Sequence, residues 1–204
     1  AHELRTPLTH LSHQIEELEI SPEKHSALKE NTQHAINVFN SILRICHLES
    51  GNALINRTKV DIGQVVKDAV EFFEPIAKNK HQSLTIEKPK CIAKVDKNLF
   101  SQAIINLLDN AIKYSPESAT IDVSFLEEND NLKVIICNSH THIDAYELQQ
   151  LLQRFSRGKN SSSIEGLGLG LSLVGAIAKA HGGQLSVESG DFGFKATFEV
   201  VLNW

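Results

Sequence analysis

The sequence lacks any long hydrophobic segment, although 41% of its 204 residues are hydrophobic. A membrane-spanning helix needs about 18 or more consecutive apolar residues, and no run in this chain approaches that length. The chain also opens without the charged and apolar regions that make up a signal peptide. We therefore expect a soluble protein, and a length of 204 residues suits one large domain or two small ones, either of which can bury a core.

An excess of positive charge is also missing, and cysteine is scarce. Lys and Arg number 20 against 25 Asp and Glu, for a net charge of −5, so we expect no binding to nucleic acid or to an anionic membrane surface. The chain has three widely spaced cysteines without a Cys-x-x-Cys pair, Cys46, Cys91 and Cys137. Such a set predicts small apolar side chains in a reducing compartment, not a structural disulfide or a zinc site.

The first quarter of the chain predicts two helices. The first carries one coiled-coil seam, with apolar residues at Leu4, Leu8, Leu11, Ile15 and Leu18. After a turn at Ser21 and Pro22, the second helix carries two adjacent apolar rows, Ala35-Val38-Ile42-Ile45 and Ile36-Phe39-Leu43-Cys46. Because two rows need more neighbours than one hairpin supplies, we expect a homodimer through residues 1–50 that forms a four-helix bundle. A monomeric hairpin that lies on the following domain is the alternative.

The rest of the chain predicts a mixture of helices and strands. Asp61 is expected to cap an amphipathic helix that runs to Ile76, and further helices are expected over residues 98–114 and after Gly170. Strands are expected at residues 83–87, 91–95, 120–126, 132–137, 184–188 and 195–202. This order predicts an α+β fold in which an N-terminal antiparallel helical hairpin, residues 1–53, precedes an α/β sandwich, residues 54–204.

The opening run Ala-His-Glu-Leu-Arg-Thr-Pro-Leu places His2 on a helix but off the apolar seam. Glu3 is its neighbour, and Thr6 stands one turn further along. A neutral imidazole is a competent nucleophile, and an adjacent carboxylate can orient the ring and take its proton. The alternative is an ordinary exposed histidine, because the chain contains 10 of them.

A second run combines amides with a lysine. Asn106, Asn110 and Lys113 are spaced by four and three residues, so they share one helix face, while Ala103, Leu107 and Ala111 can pack inward beside them. Amide oxygens and an ammonium group suit a hydrated Mg²⁺ ion and a phosphate. A merely solvated helix face would use the same residue types.

A third run alternates glycines at Gly166, Gly168 and Gly170, just before a predicted helix. Glycines permit close backbone approach, and free amides at a helix start favour a phosphate chain. Ahead of this run, Arg154 and Arg157 flank Phe155 and are candidates for contacts with phosphate. The residues that follow them, 159–165, are candidates for a mobile lid over the ligand, and an ordinary mobile, serine-rich surface loop is the alternative.

Together, these runs resemble the sensor histidine kinases of two-component systems, in the family's order and over nearly the whole chain. The resemblance implies that residues 1–53 form the dimerisation and phosphoacceptor hairpin, and that residues 54–204 form an ATP-binding domain of the histidine kinase and Hsp90-like type. It implies that His2 receives the γ-phosphoryl group of ATP and that Glu3 acts as the base. It further implies that Thr6 positions the water that removes phosphate from the partner.

The resemblance also implies the ligands and partners. Asn110 would ligate Mg²⁺, with Asn106, Lys113 and Tyr114 near the nucleotide. The phosphoryl group would pass to an Asp of a response regulator receiver domain, toward which phosphatase activity is also expected. The chain begins inside a helical pattern, so an upstream part is expected to be missing. The resemblance implies that this missing part anchors the full protein in the membrane, with this core on the cytoplasmic side.

One loop departs from the family pattern. The family has Asp-x-Gly-x-Gly where this chain has Asn138, Ser139, His140, Thr141 and His142. Asn138 keeps a carbonyl that can accept from the adenine amino group, but losing a charged acceptor costs about 1–3 kcal/mol, so weakened ATP binding is expected.

The two histidines would remodel this loop or fill the adenine pocket. Exposed polar loop residues are favoured over a new metal site at His140 and His142. The altered loop leaves a second function open, in which the chain binds ATP poorly and acts as a phosphatase, phosphotransfer or docking module.

Overall fold

The structure is a computed structural model that describes residues 22–51, 54–87, 91–139, 143–156 and 167–202. Its helices are α1 (Pro22–Glu49), α2 (Ile62–Asn79), α3 (Lys97–Tyr114), α4 (Ala145–Leu151) and α5 (Gly170–Ala180). Its strands are β1 (Thr58–Asp61), β2 (Ser83–Ile86), β3 (Ile92–Val95), β4 (Thr120–Glu128), β5 (Asn131–Asn138), β6 (Leu185–Gly190) and β7 (Gly193–Val201). None of the described helices has both the length and the apolar composition that crossing a membrane requires.

A five-stranded mixed sheet forms one layer of the fold, in the order β2-β4-β5-β7-β6. Strand β2 runs parallel to β4, and the other neighbours are antiparallel. Helices α3 and α5 contact the sheet at β5, β7 and β6, and α2 contacts its edge strand β2. The central strands bury every second side chain, namely Ile121, Val123, Leu132, Val134, Ile136, Ala196, Phe198 and Val200. This alternation is typical of a sheet with one covered face. The predicted α+β class, with helices on one face of the sheet, is confirmed.

Helix α2 follows the prediction closely. Asp61 is its N-cap, and the carboxylate accepts a hydrogen bond from the main-chain N–H of Gln64 at 3.1 Å. The buried residues recur at helical spacing, Ile62, Val65, Val66, Ala69, Val70, Phe73 and Ala77. Full burial of a large apolar side chain contributes about 1.5–3 kcal/mol, so this face fixes α2 to the core.

The predicted strands at residues 120–126 and 132–137 leave five residues between them for a hairpin turn, and that length is wrong. The strands pair as far as Glu128 and Asn131, so only Asn129 and Asp130 form the turn. Both residues have positive φ, 51° and 60°. Asn and Asp tolerate this left-handed conformation, and a two-residue turn of this kind matches the twist of the strands.

The sequence predicted the strand β3, at residues 91–95, but neither β1 nor the small sheet that the two strands form. These strands pair antiparallel, from Thr58 opposite Val95 to Asp61 opposite Ile92. The paired residues are more than 30 positions apart in the chain, so no pattern within one segment encodes their pairing. The sheet fixes the starts of α2 and α3 beside each other, because β1 leads directly into α2 and β3 leads into α3 through the N-cap Asp96.

The last turns of α1 pack on the rest of the chain. Ile45 and Leu48 are 0% and 8% exposed, and α1 contacts α5. Val38 and Ile42 pack against the same core, and the Arg44 guanidinium donates to the side-chain oxygen of Gln102 on α3. The contact expected by the monomeric alternative is therefore present. The predicted first helix lies outside the described residues, and the hairpin and the four-helix bundle stay predictions.

Candidate functional site

The asparagine motif lies on α3 as its spacing predicts. Ala103, Leu107 and Ala111 are buried, while Asn106 and Asn110 are half-buried on the adjoining face. The amide nitrogen of Asn106 donates to the main-chain carbonyl of Gln102 at 2.8 Å. Since that bond engages the donor side of the amide, the carbonyl oxygen of Asn106 is turned toward the neighbouring helix.

The neighbouring helix is α5, and its first residue, Gly170, faces the two asparagines. A Cβ atom added to Gly170 would lie 3.3 Å from the amide nitrogen of Asn110 and 3.4 Å from the carbonyl oxygen of Asn106. The N-cap residue, Leu169, makes no side-chain capping hydrogen bond, so the amides of the first turn stay available to an anion. The glycine and asparagine motifs, about 60 residues apart in sequence, meet here.

A main-chain hydrogen bond joins Phe155 to Gly168 of the glycine motif. The N–H of Phe155 donates to the carbonyl of Gly168 at 3.0 Å. Gly168 has a φ of +66°, and a Cβ there would overlap the carbonyl oxygen of Ser156, so glycine is required by both conformation and space. Two predicted site residues, Arg157 and Gly166, lie outside the described residues.

The predicted phosphate-binding cations are paired with carboxylates. Lys113 lies 2.6 Å from Asp109, one turn back on α3. Arg154 forms an ion pair with Glu49 at the end of α1 and also approaches the sulfur of Cys46 at 3.7 Å. Tyr114 is half-buried at the end of α3. Both cations would therefore have to exchange a carboxylate for a phosphate.

Asn138 ends β5 and is only 3% exposed. Its amide nitrogen donates to the hydroxyl of Ser115 at 2.9 Å and to the carbonyl of Ser139 at 3.3 Å. Burial raises the pKa of the neighbouring Cys137 thiol, so this thiol stays protonated near neutral pH. His140 and His142 lie outside the described residues, as do the predicted catalytic residues His2, Glu3 and Thr6.

Two buried residues that the sequence did not reveal hold the site helices in place. Gln82 donates from its amide to the carbonyls of Ile112, Ser115 and Pro116, at the end of α3. His181, at the end of α5, accepts at Nε2 from the N–H of Asp96 at 3.0 Å. The only signal in the sequence was their polarity beside apolar segments, because both sets of partners are distant in the chain.

The ring of His181 is held in one tautomer. Nδ1 lies 2.9 Å from the carbonyl of Ile177, which can only accept, so Nδ1 carries the proton. Burial lowers the pKa of His181, more than the hydrogen bond to Ile177 raises it. The neutral ring therefore joins the end of α5 to Asp96, the N-cap of α3.

Comparison with known proteins identifies the fold. Residues 95–203, more than half of the chain, match the family described as histidine kinase-, DNA gyrase B-, and HSP90-like ATPase. The chain belongs to this ATPase family. The match covers α3, Asn138 and α5, the elements that bring the asparagine and glycine motifs together.

Within the ATPase family, the relatives are sensor kinases. The chain is 34% identical over 192 residues to the sensor histidine kinase HprS of Escherichia coli strain K12, covering 90% of this chain and 42% of HprS. The predicted resemblance to sensor histidine kinases is confirmed. The chain spans between 23% and 42% of the length of the first curated relatives.

Two solved structures share the fold at low sequence identity. Full-length ShkA in complex with AMPPNP superposes with a TM-score of 0.81 at 21% identity, covering 98% of this chain and 44% of ShkA. The histidine kinase ThkA in complex with its response regulator TrrA gives a TM-score of 0.69 at 19% identity, covering 99% of this chain and 59% of ThkA. At these identities the likeness concerns the fold alone.

Proposed function

We propose that this chain is the core of an ATP-dependent protein-histidine kinase that phosphorylates itself on His2. The observation that carries the proposal is the meeting of Gly170 with Asn106 and Asn110. A Cβ at Gly170 would fill the space between α5 and the two asparagines, and the adjoining helix start has no side-chain cap. Space, amide oxygens and free N–H groups at one place fit a magnesium-bound triphosphate.

The roles of the binding residues follow from their chemistry. The carbonyl oxygen of Asn110 would hold Mg²⁺, with Asn106 beside it. Lys113 and Arg154 would neutralise phosphate charge once they leave Asp109 and Glu49. Asn138 would accept from the adenine amino group. Tyr114, Arg157, Gly166 and Gly168 complete the proposed nucleotide site.

The transfer itself is assigned to residues of the predicted first helix, which lies outside the described residues. Bound ATP supplies the γ-phosphoryl group. The neutral ring of His2 would attack the γ-phosphorus with one nitrogen lone pair while Glu3 accepts the proton from the other nitrogen. The bond between the γ-phosphorus and the bridging oxygen breaks, and ADP leaves with that electron pair. Thr6 would later orient a water for dephosphorylation of the partner. Most of the rate enhancement would come from positioning and charge, as in other phosphoryl transfers.

The proposed partner is a response regulator that accepts the phosphoryl group on an Asp of its receiver domain. The ThkA structure with TrrA supports this assignment, because a kinase of the same fold forms such a complex. A homodimer through residues 1–50 is proposed as the docking platform, and residues 1–53 and 54–204 as the two domains. Placement of the full protein at the cytoplasmic side of a membrane stays a prediction.

A second candidate function is a docking, phosphotransfer or phosphatase module with little affinity for ATP. It is favoured by the replacement of the family's Asp by Asn138 and of its glycines by His140 and His142. Against it, the amide of Asn138 donates to Ser115 and Ser139, so its oxygen is the atom left to accept from adenine. The kinase is therefore the better-supported function.

Calorimetric titration with Mg²⁺-ATP, beside autophosphorylation with γ-labelled ATP, separates the two. We expect saturable binding and a label that His2→Gln removes and the control His34→Gln, at an exposed position on α1, retains. Binding without label on His2 would reject autophosphorylation of this chain. Absence of binding at millimolar nucleotide would favour the second candidate.

A further inference from the structure

Ser115 and Asn138 form a buried pair at the edge of the proposed nucleotide site. Ser115 follows the last residue of α3, and Asn138 ends β5. The two side chains are 7% and 3% exposed, and the Asn138 amide nitrogen lies 2.9 Å from the Ser115 hydroxyl. They join the helix that carries the asparagine motif to the strand whose following loop departs from the family pattern.

The direction of this hydrogen bond is fixed by a third group. The hydroxyl of Ser115 lies 2.6 Å from the main-chain carbonyl of Ala111, and a carbonyl can only accept. Since a hydroxyl has one proton, Ser115 donates that proton to the Ala111 carbonyl and accepts a hydrogen bond from Asn138. The nitrogen of the amide therefore faces Ser115, and its second proton points toward the carbonyl of Ser139 at 3.3 Å. Both donors of Asn138 are engaged within the protein.

Ser115 is itself held from the opposite side. The amide of Gln82 donates to the carbonyls of Ser115 and Pro116, both at 3.1 Å, and to that of Ile112 at 3.2 Å. Gln82 is 5% exposed, so these bonds are shielded from water. The Ser115 hydroxyl is consequently a fixed reference for the amide of Asn138.

We propose that Ser115 is a positioning residue that sets base preference by holding the Asn138 amide with only its carbonyl oxygen presented to the ligand. This rests on the proposed nucleotide site. Adenine offers an exocyclic amino donor at the position where guanine carries a carbonyl acceptor. An oriented acceptor favours adenine, while guanine would need the amide to flip and lose its bonds to Ser115 and Ser139.

A carboxylate at position 138 would not need this orientation. It has two acceptor oxygens and no donor, so every rotation presents an acceptor. The dependence on Ser115 is therefore expected only while the residue at 138 is an amide. A double-mutant cycle isolates such a coupling.

The experiment compares the 204-residue chain with Ser115→Ala, Asn138→Asp and the double variant. Dissociation constants for Mg²⁺-ATP and Mg²⁺-GTP are measured by calorimetry. We expect Ser115→Ala to lower the ATP-over-GTP preference by about tenfold, the value of one buried hydrogen bond. We expect Asn138→Asp to keep the preference, and Ser115→Ala to leave it unchanged in that background.

Two further variants guard the interpretation. Ser115→Thr retains the hydroxyl and should retain the preference, and Ser83→Ala, at an exposed hydroxyl on β2, should change nothing. If Ser115→Ala does not fold, Ser115→Gly replaces it. In the nucleotide-free chain, NMR should show slowed exchange of the Asn138 side-chain amide protons, which removal of the hydroxyl abolishes.

The outcomes separate this inference from the function on which it rests. A wild-type chain that binds neither nucleotide overturns both. ATP binding with a preference that Ser115→Ala does not alter overturns the role of Ser115 and leaves the kinase standing. An equal loss of preference in the Asn138 and Asp backgrounds would show that Ser115 acts through the general fold, which also overturns the proposal.

Discussion

Arg154, a residue predicted to meet phosphate, forms an ion pair with Glu49 at the end of α1. The pair joins the end of the second helix of the predicted hairpin to the residues that follow α4. Both side chains are more than a third exposed to solvent, 35% for Arg154 and 46% for Glu49. A pair in such a position contributes about 0.2–1 kcal/mol.

We predict that this pair competes with nucleotide. Glu49→Ala frees Arg154 and should tighten Mg²⁺-ATP binding by up to about fivefold, the equivalent of 1 kcal/mol. Arg154→Ala should weaken binding, since it removes the cation itself. Calorimetry gives both values, with Glu74→Ala as a control that breaks a comparable exposed pair on α2. Unchanged affinity in Glu49→Ala would mean that Arg154 does not contact the nucleotide.

His181 predicts a loss of stability in mild acid. Burial lowers the pKa of His181 in the folded chain, so near pH 6 the unfolded chain binds more protons than the folded one. This histidine therefore contributes stability that is present above its unfolded pKa of 6.5 and is lost as the pH falls toward the lower folded pKa. Asp96 and Arg57 are the charged groups that act on the ring.

The measurement is the free energy of unfolding by urea between pH 7.5 and pH 5. His181→Gln cannot titrate in this range and should flatten the curve by at most about 1.4 kcal/mol per pH unit, the limit for one proton. His47→Gln removes an exposed histidine and should leave the slope as it is. A slope that survives in His181→Gln would assign the acid sensitivity to other groups.

The sequence predicted what is local and missed what is distant. The helical spacing of the apolar residues from Ile62 to Ala77 predicts α2, and Asp61 predicts its N-cap. The asparagine face is predicted equally well, since spacing alone puts Asn106 and Asn110 together. The partners of Gln82, and Asp96 as the partner of His181 Nε2, lie at least 30 residues away along the chain, and no pattern within a segment encodes them.

The position of the cations shows the same limit. Residue type and order predicted that Lys113 and Arg154 could meet phosphate, but not that both are held by carboxylates. Asp109 could have been noticed, because it stands four residues before Lys113 on one helix. Glu49 could not, since its contact with Arg154 depends on how α1 packs against α5.

Gln82 predicts a large effect on stability from a single amide. Its two amide protons are shared among three carbonyls at the end of α3, where helix carbonyls lack partners in the next turn. Gln82→Leu should lower the unfolding free energy by about 1–3 kcal/mol. Gln82→Glu should cost more, because it would place a carboxylate against those carbonyls. Gln184→Leu, at an exposed position, is the control, and equal effects at the two positions would contradict the prediction.

The sharpest test of the site compares two glycines of the same helix. A Cβ at Gly170 would press on Asn106 and Asn110, whereas a Cβ at Gly175 would meet nothing within 4 Å. Replacing either glycine by alanine favours the helix by about 0.4–1 kcal/mol, so Gly175→Ala should be at least as stable as the parent. Overpacking at Gly170 costs about 1–3 kcal/mol where the asparagines must move.

We therefore predict that Gly170→Ala weakens Mg²⁺-ATP binding about tenfold or more, while Gly175→Ala retains it. Calorimetry and thermal unfolding on both variants give the result, and equal affinities would show that the nucleotide does not bind where the glycine and asparagine motifs meet.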